Sequence, residues 1–326
     1  NPFSSYLQQT MQEWNQTIIT ELFLVGFGDL HRSKYFFFCM FFLLYLVALK
    51  GNLLVITLVI INEALHLPMY FFLSQLSLSE IIFTSNMVPT ILRLILSGGG
   101  NMSVSGCKIQ FFALCVPTLT QCLLLAAMSF DRYVAICNPL HYTSIMTFKL
   151  QLWVAIFCWV CGFSACVLVI VFIYQLQFCR SNVINHFACD IGPVMEISCS
   201  DTSRMELVTS LVSTVSIAFP FLFIIGSYIS IILTILRIPS SFGRQKAFST
   251  CSSHLAVVCM YYGTLVALYI YPFGKHSANA KFIFILYTSV TPLFNPIIYS
   301  LRNQDIKRAI RKLVSILIVT PCGALN

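Results

Sequence analysis

Charge is what this chain has least of. Only 9% of its 326 residues are charged, while 58% are hydrophobic. A soluble domain carries about 25% charged residues. That scarcity excludes a water-soluble globular class and makes the chain an integral membrane protein. Tryptophan is also rare, at 3 residues beside 29 Phe and 14 Tyr. A cleavable signal peptide is missing from the N-terminus, because the first apolar run follows a polar stretch and is long enough to be a permanent span. The chain starts at Asn1 rather than Met, so a short leader is expected to precede it. No His/Cys spacing resembles a metal site, and no metal or cofactor is expected. No convincing nucleophile–base set lies at depth, which argues against an enzyme. No internal repeat of spans and no ring of charge is present, which argues against a transporter or channel.

What is present is a series of long apolar segments. Seven pass the length test for crossing a bilayer: Tyr35–Ile61, Pro68–Ile95, Gly106–Cys137, Leu150–Tyr174, Glu206–Leu236, Lys246–Tyr271 and Phe282–Leu301. Backbone polar groups must be satisfied within lipid, so these are helices. The expected fold is an all-α membrane protein, a seven-helix bundle at 35–301 between an N-terminal tail at 1–34 and a C-terminal segment at 302–326. In the fourth span, Gly162, Ser164 and Ala165 permit close helix approach. After the last span, Asn303–Leu317 puts Ile306, Ile310 and Leu313 on one face and Lys307, Arg311 and Lys312 on the other, an amphipathic helix lying on membrane lipid. An odd number of spans separates the termini. The dense basic cluster Arg302, Lys307, Arg308, Arg311 and Lys312 places the C-terminus in the cytoplasm and the N-terminus outside, at the plasma membrane. Because this tail follows directly from a span, nucleic acid is not an expected partner.

Several polar groups lie at depth. Glu80 is within the second span, where a charge costs roughly 2.5–3.5 kcal/mol even on the lenient insertion scale, so it should face an interior. Asn52, Gln121, His254 and Asn295 are further polar groups at depth. Lys50 lies in the first span, with pairing to Glu80 and reaching for water both open. Asp131-Arg132-Tyr133 ends the third span and reads equally as an interfacial anchor or as a latch. The seventh span carries Pro292 and then Asn295-Pro296-Ile297-Ile298-Tyr299, where proline removes a backbone bond and kinks the helix. Asn295 supplies a polar group either for the freed carbonyls or for Glu80, and a hinge is preferred to a plain kink. Of 14 cysteines, Cys107, Cys179, Cys189 and Cys199 fall on the oxidising side, and sequence alone leaves their pairing open. Asn15-Gln16-Thr17 is a glycosylation sequon in the outer tail, whereas Asn101-Met102-Ser103 lies too near the membrane to be used.

These residues carry a resemblance. Gly51-Asn52, Leu65-His66-Leu67-Pro68-Met69-Tyr70-Phe71-Phe72-Leu73-Ser74, Met128-Ser129-Phe130-Asp131-Arg132-Tyr133-Val134-Ala135-Ile136-Cys137, Ser227-Tyr228, Lys246-Ala247-Phe248-Ser249-Thr250-Cys251-Ser252-Ser253-His254-Leu255 and Pro292-Leu293-Phe294-Asn295-Pro296-Ile297-Ile298-Tyr299-Ser300-Leu301-Arg302-Asn303 resemble the signature set of vertebrate olfactory receptors, which are rhodopsin-like G-protein-coupled receptors. The sixth-span motif is most similar to the tetrapod-type, class II, receptors. The resemblance covers the first span to the last, in order. It implies a Cys107–Cys189 bridge and a second bridge, Cys179–Cys199. It assigns Asp131, Arg132, Tyr133, Tyr228, His254, Asn295, Pro296 and Tyr299 to the activation switch, and Asn52, Glu80 and Gln121 to a polar core. The chain departs from the family in having Glu80 where Asp is usual, Gln121 where Glu is frequent, Ser129-Phe130 before the Asp-Arg-Tyr motif, and Lys50 beside Gly51. Two acids hold a sodium ion in the family; one remains here, so that site is not carried over.

The implied ligand is a small volatile odorant in an apolar pocket with a few polar groups. Candidate lining residues are Leu114, Cys115, Thr118 and Leu119 on the third span, Val212, Ser213 and Ser216 on the fifth, Tyr262, Leu265, Val266 and Tyr269 on the sixth, and Thr288 on the seventh. No acid or base is expected on this wall, so the ligand should be neutral. The implied output is activation of a stimulatory, olfactory-type Gα subunit of a heterotrimeric G protein, raising cAMP. A receptor of the same family acting outside the olfactory epithelium is the alternative.

Overall fold

Residues 19–178, 181–269, 278–302 and 304–319 are described by the computed structural model of the chain. Seven helices are long and apolar enough to cross a membrane. They are α1 (Ser33–Ile61), α2 (Pro68–Ser97), α3 (Val104–Cys137), α4 (Phe148–Tyr174), α5 (Ser203–Leu236), α6 (Ser241–Tyr269) and α7, which runs from Ala278–Ile285 through Leu286–Val290 to Thr291–Arg302. The helix α8 (Gln304–Val319) follows. The expected multi-pass bundle is present. Its ends differ from the hydropathy reading where polar turns extend a helix beyond its apolar part: α6 starts at Ser241, ahead of the Lys246 expected, and α5 at Ser203.

Local signals fix the helix ends. Ser103 accepts from the Gly106 amide at 3.0 Å and starts α3, and Thr147 accepts from the Leu150 amide at 3.3 Å and starts α4. Pro68 opens α2, where its missing N–H is not needed. Gly98, at φ 70°, ends α2 in the left-handed conformation that glycine reaches without strain.

α3 runs through the middle and packs on α2, α4 and α5. Its approach to α4 depends on Gly162. A Cβ there would lie 2.5 Å from the Thr120 hydroxyl and 3.0 Å from the Val116 carbonyl. α5 and α7 each contain one π-helical turn, at Thr214–Ala218 and Leu286–Val290. Such turns insert an extra residue and rotate the faces that follow. At its start α8 is clasped to α2, because the Tyr70 hydroxyl donates to Asp305 at 3.0 Å.

One layer was not foreseen. The strand β1 (Glu21–Leu24) of the N-terminal segment pairs antiparallel with β2 (Gly100–Ser103), between α2 and α3, and parallel with β3 (Val183–Ile184), between α4 and α5. Leu22 and Leu24 point inward and are fully buried, while Glu21 faces out, the alternation of a half-buried strand. Gly99 has φ 129°, and a Cβ there would stand 2.7 Å from the Phe23 ring, so the turn entering β2 requires glycine. Cys107 at the start of α3 is bridged to Cys189 in the α4–α5 loop, with Cα atoms 5.3 Å apart. Cys199 is also disulfide-bonded, and Cys179, the partner expected for it, lies outside the described residues together with Asn15.

The Cys107–Cys189 bridge closes a loop of 82 residues across this cap, and removing such a native bridge typically costs about 2–5 kcal/mol. Cys107→Ser should therefore strongly reduce receptor at the cell surface, measured by antibody to an N-terminal tag on intact cells. Parental surface density in that variant would show that the sheet holds the cap without the bridge.

Candidate functional site

Beneath the cap lies a cavity of about 570 Å³. Its wall includes Leu114, Cys115, Thr118 and Leu119 of α3, Val212 and Ser213 of α5, and Tyr262, Leu265 and Val266 of α6, brought together from the three helices expected to face it. Ser216 is not on the wall. The π-helical turn adds a residue before it, so Ile217, Ala218 and Phe221 face the cavity instead. Thr288 is buried behind the wall, donating to the Phe284 carbonyl at 2.9 Å. The Tyr269 side chain lies outside the described residues.

The expectation of a wall without charge is corrected by Asp190, which is buried and lines the cavity. That expectation took the wall from helices alone, whereas the adjacent Cys189 bridge folds this loop residue into the bundle. The Asp190 carboxylate accepts from the Ile191 amide at 2.8 Å, capping the short helix Ile191–Glu196. The hydroxyl-bearing residues Thr209, Ser210 and Thr214 on the wall were also missed. Their spacing from Ser213 on one helix face was the signal that could have found them.

The cap holds this wall through polar contacts. Gln110 on α3 accepts from the Cys189 amide at 3.0 Å and donates to Thr90 at 3.1 Å. Lys281 at the start of α7 donates to the Gly26 carbonyl at 2.7 Å and to Asn185 at 2.6 Å, joining the N-terminal segment and the loop. His186 is 8% exposed and packs edge-on against Phe284, with ring centres 4.4 Å apart.

The cavity rests on a set of tyrosines, of which Tyr262 reaches its wall. Tyr261 donates to the Thr118 carbonyl at 2.7 Å, Tyr262 donates to the Cys122 carbonyl at 3.3 Å, and the Thr118 and Tyr287 hydroxyls are 3.0 Å apart. These bonds connect α3, α6 and α7 beside the cavity.

Below the tyrosines, Asn295 of α7 donates to the Glu80 carboxylate of α2 at 2.7 Å. Pro296 lacks an N–H and so frees the carbonyl of Pro292 four residues earlier. Asn52 of α1 donates to that carbonyl at 3.3 Å, and to its own Ala48 carbonyl at 3.0 Å. Both options open for Asn295 are thereby settled: it serves Glu80, and Asn52 serves the freed carbonyl. Gln121 of α3 is buried. One carboxylate already engaged by an amide does not make the paired-acid site that sodium would use. Lys50 does not pair with Glu80; it is exposed on the outer face of α1.

At the far end, Asp131 and Arg132 form an ion pair, with Arg132 Nε donating to Asp131 at 2.9 Å. The other Asp131 oxygen accepts from Tyr142 at 2.8 Å, a partner the sequence did not reveal. Burial, followed by the neighbouring Asp131 carboxylate, pushes the Tyr142 phenol well up, so it remains a donor. Tyr228 and the fully buried His254 share a hydrogen bond of 2.6 Å between α5 and α6. Tyr133 packs on Phe130 with ring centres 6.5 Å apart. The backbone of α7 extends past Tyr299, whose side chain lies outside the described residues.

The olfactory receptor family model matches residues 38–316. The chain belongs to the olfactory receptor family. It is 43% identical to human olfactory receptor 13C2 over 311 residues, covering 93% of this chain and 98% of that one. It is 42% identical to human olfactory receptor 10R2, covering 92% and 90%, and 42% identical to rat olfactory receptor 1f45, covering 94% and 98%. It is thus a receptor of an odorant-sensing family.

The receptor's cap should respond to acid. Burial holds the His186 imidazole below its ordinary value, with Lys281 acting in the same direction and Asp190 and the Ala188 backbone opposing. The folded cap then binds fewer protons than the unfolded chain. This contribution to stability is complete above the ordinary histidine value of about 6.5 and is lost as pH falls through it. The melting temperature of detergent-purified receptor should drop between about pH 7 and about pH 5, and His186→Gln should flatten that drop. An equal slope in both proteins would remove His186 from the account.

Proposed function

We propose that the receptor binds a small, neutral, mostly apolar volatile in the capped cavity and activates a stimulatory heterotrimeric G protein, raising cAMP. The cavity is the observation that carries this reading. At about 570 Å³ it falls in the size range of small-molecule sites, and its wall is apolar with a few convergent polar groups. Asp190 does not overturn neutrality, because its carboxylate caps a helix. Among the described residues, Ser210 and Ser213 carry wall hydroxyls without a hydrogen-bond partner, which suits a ligand oxygen.

The disulfide supports an outward-facing cap, since such bonds persist in oxidising compartments. The basic face of α8 supports a cytoplasmic far end on anionic lipid. A ligand biases the receptor only through unequal affinity for two states. Contact with Tyr262 and Thr118 shifts the tyrosine set, Tyr287 passes the shift to α7, and the Asn295–Glu80–Asn52 cluster rearranges around the Pro296 kink. The far end then opens as α6 moves from α3, releasing Arg132 from Asp131 and parting Tyr228 from His254. The cleft so formed receives the C-terminal helix of the Gα subunit.

The test is a panel of matched alcohols, ketones, hydrocarbons and amines in cells carrying a cAMP reporter. Oxygenated neutral members should be the best agonists. Ser213→Ala should weaken these by about 2–10-fold, matching a net hydrogen bond of about 0.5–1.5 kcal/mol, and leave hydrocarbons unchanged. Protonated amines as the strongest agonists would instead make Asp190 a counter-ion and overturn the neutral reading.

A further inference from the structure

Lys50 lies near the middle of α1, a 29-residue helix roughly 44 Å long. The hydrocarbon core is about 30 Å thick, so Lys50 falls inside it. The headgroups nearer to Lys50 are those beyond Ile61. The Cα–Cβ bonds of a helix tilt towards its N-terminus, away from that surface, so the ammonium is poorly placed to snorkel. α1 packs on α2, α7 and α8, and Lys50 is exposed on the side away from them. Among the described residues it has no hydrogen bond or ion pair. A lipid-facing charge at this depth is rare and costly.

The neighbours of Lys50 form a regular pattern. Leu43, Val47, Lys50, Leu54, Thr57 and Ile61 lie along one seam of α1 at alternating steps of four and three residues, with Leu54 half-buried against the bundle. Leu43, Val47 and Ile61 are each more than half exposed, at 60%, 53% and 56%. A second copy of this chain does not fit that seam. Two-fold pairing would set Lys50 against Lys50. The acids that this chain holds at depth, Glu80 and Asp131, are buried and engaged by Asn295 and Arg132.

We propose that this face of α1 docks a membrane-spanning helix of a different protein, one that carries an Asp or Glu at mid-depth opposite Lys50. The carboxylate supplies the ion-pair partner, and the apolar stripe supplies the packing.

The test uses the full-length receptor and a single-span polyleucine probe helix, with or without one mid-depth Glu. Association is read by energy transfer between fluorescent tags at matched surface densities. The Glu probe should associate roughly tenfold more tightly than the plain probe. Lys50→Leu should abolish that difference, and Lys50→Arg should preserve it. Because Lys50→Leu replaces a lipid-facing charge by an apolar group, its surface density should not fall. Thr57→Cys should also cross-link to a probe cysteine one heptad from the Glu. Equal association of both probes, or a Glu preference that survives Lys50→Leu, overturns the proposal. A signal that follows anionic lipid content assigns Lys50 to headgroups. Receptor–receptor transfer lost in Lys50→Leu assigns the face to a second copy. Either result also overturns the proposal.

Discussion

A carboxylate buried where no water can surround it constrains the whole centre of this bundle. Glu80 must find its partner inside the protein, and Asn295 provides it at 2.7 Å across the α2–α7 interface. The next residue on α7, Pro296, lacks an N–H and so creates a second obligation, the carbonyl of Pro292. Asn52 meets it from α1. The approach of α1 to α7 is equally tight, since a Cβ on Gly51 would stand 3.0 Å from Pro296. Three helices are thus held by one polar cluster whose members have few alternatives, because an unpaired buried group costs about 1–3 kcal/mol.

That cluster stands between two regions built on different chemistry. Above it, the tyrosine set ties α3 to α6 and α7 beside the cavity. Below it, Arg132 is held by its neighbour Asp131 on α3, and the Tyr228–His254 bond joins α5 to α6. Packed interiors shift between discrete arrangements rather than deforming smoothly. A ligand that moves the tyrosines therefore acts on a cluster with few ways to rearrange. The cap adds a wall to the cavity through Asp190 and Ile191, in a loop that a disulfide, a small sheet and the Lys281 clasp hold in place.

Much of this was legible in the sequence because lipid simplifies the problem. Long apolar runs have to be helices, and Glu80 had to be buried against a polar partner. The Asp131-Arg132-Tyr133 motif and the Asn295-Pro296 pair stood out as charge and proline at the edge and depth of spans, and both make polar contacts across or beyond their helices. What escaped had no such signature. Leu22 and Leu24 form too short an alternation to announce a strand, and its partners lie in two distant loops. The π-helical turn in α5 shifted the wall away from Ser216, which a regular helical period does not anticipate. Asp190 reached the wall through a covalent bridge at its neighbour, and Tyr142 reached Asp131 from a short helix beyond the span.

The central claim is that the Glu80 cluster relays the signal and does not merely fill the core. Odorant-evoked cAMP, measured at equal surface density in Glu80→Ala and Glu80→Asp, tests it most directly. The account predicts that Glu80→Ala reaches the surface but loses the response, while Glu80→Asp, which keeps the carboxylate for Asn295, retains it. A Glu80→Ala receptor that signals like the parent would contradict the relay and leave Glu80 as a tolerated structural acid.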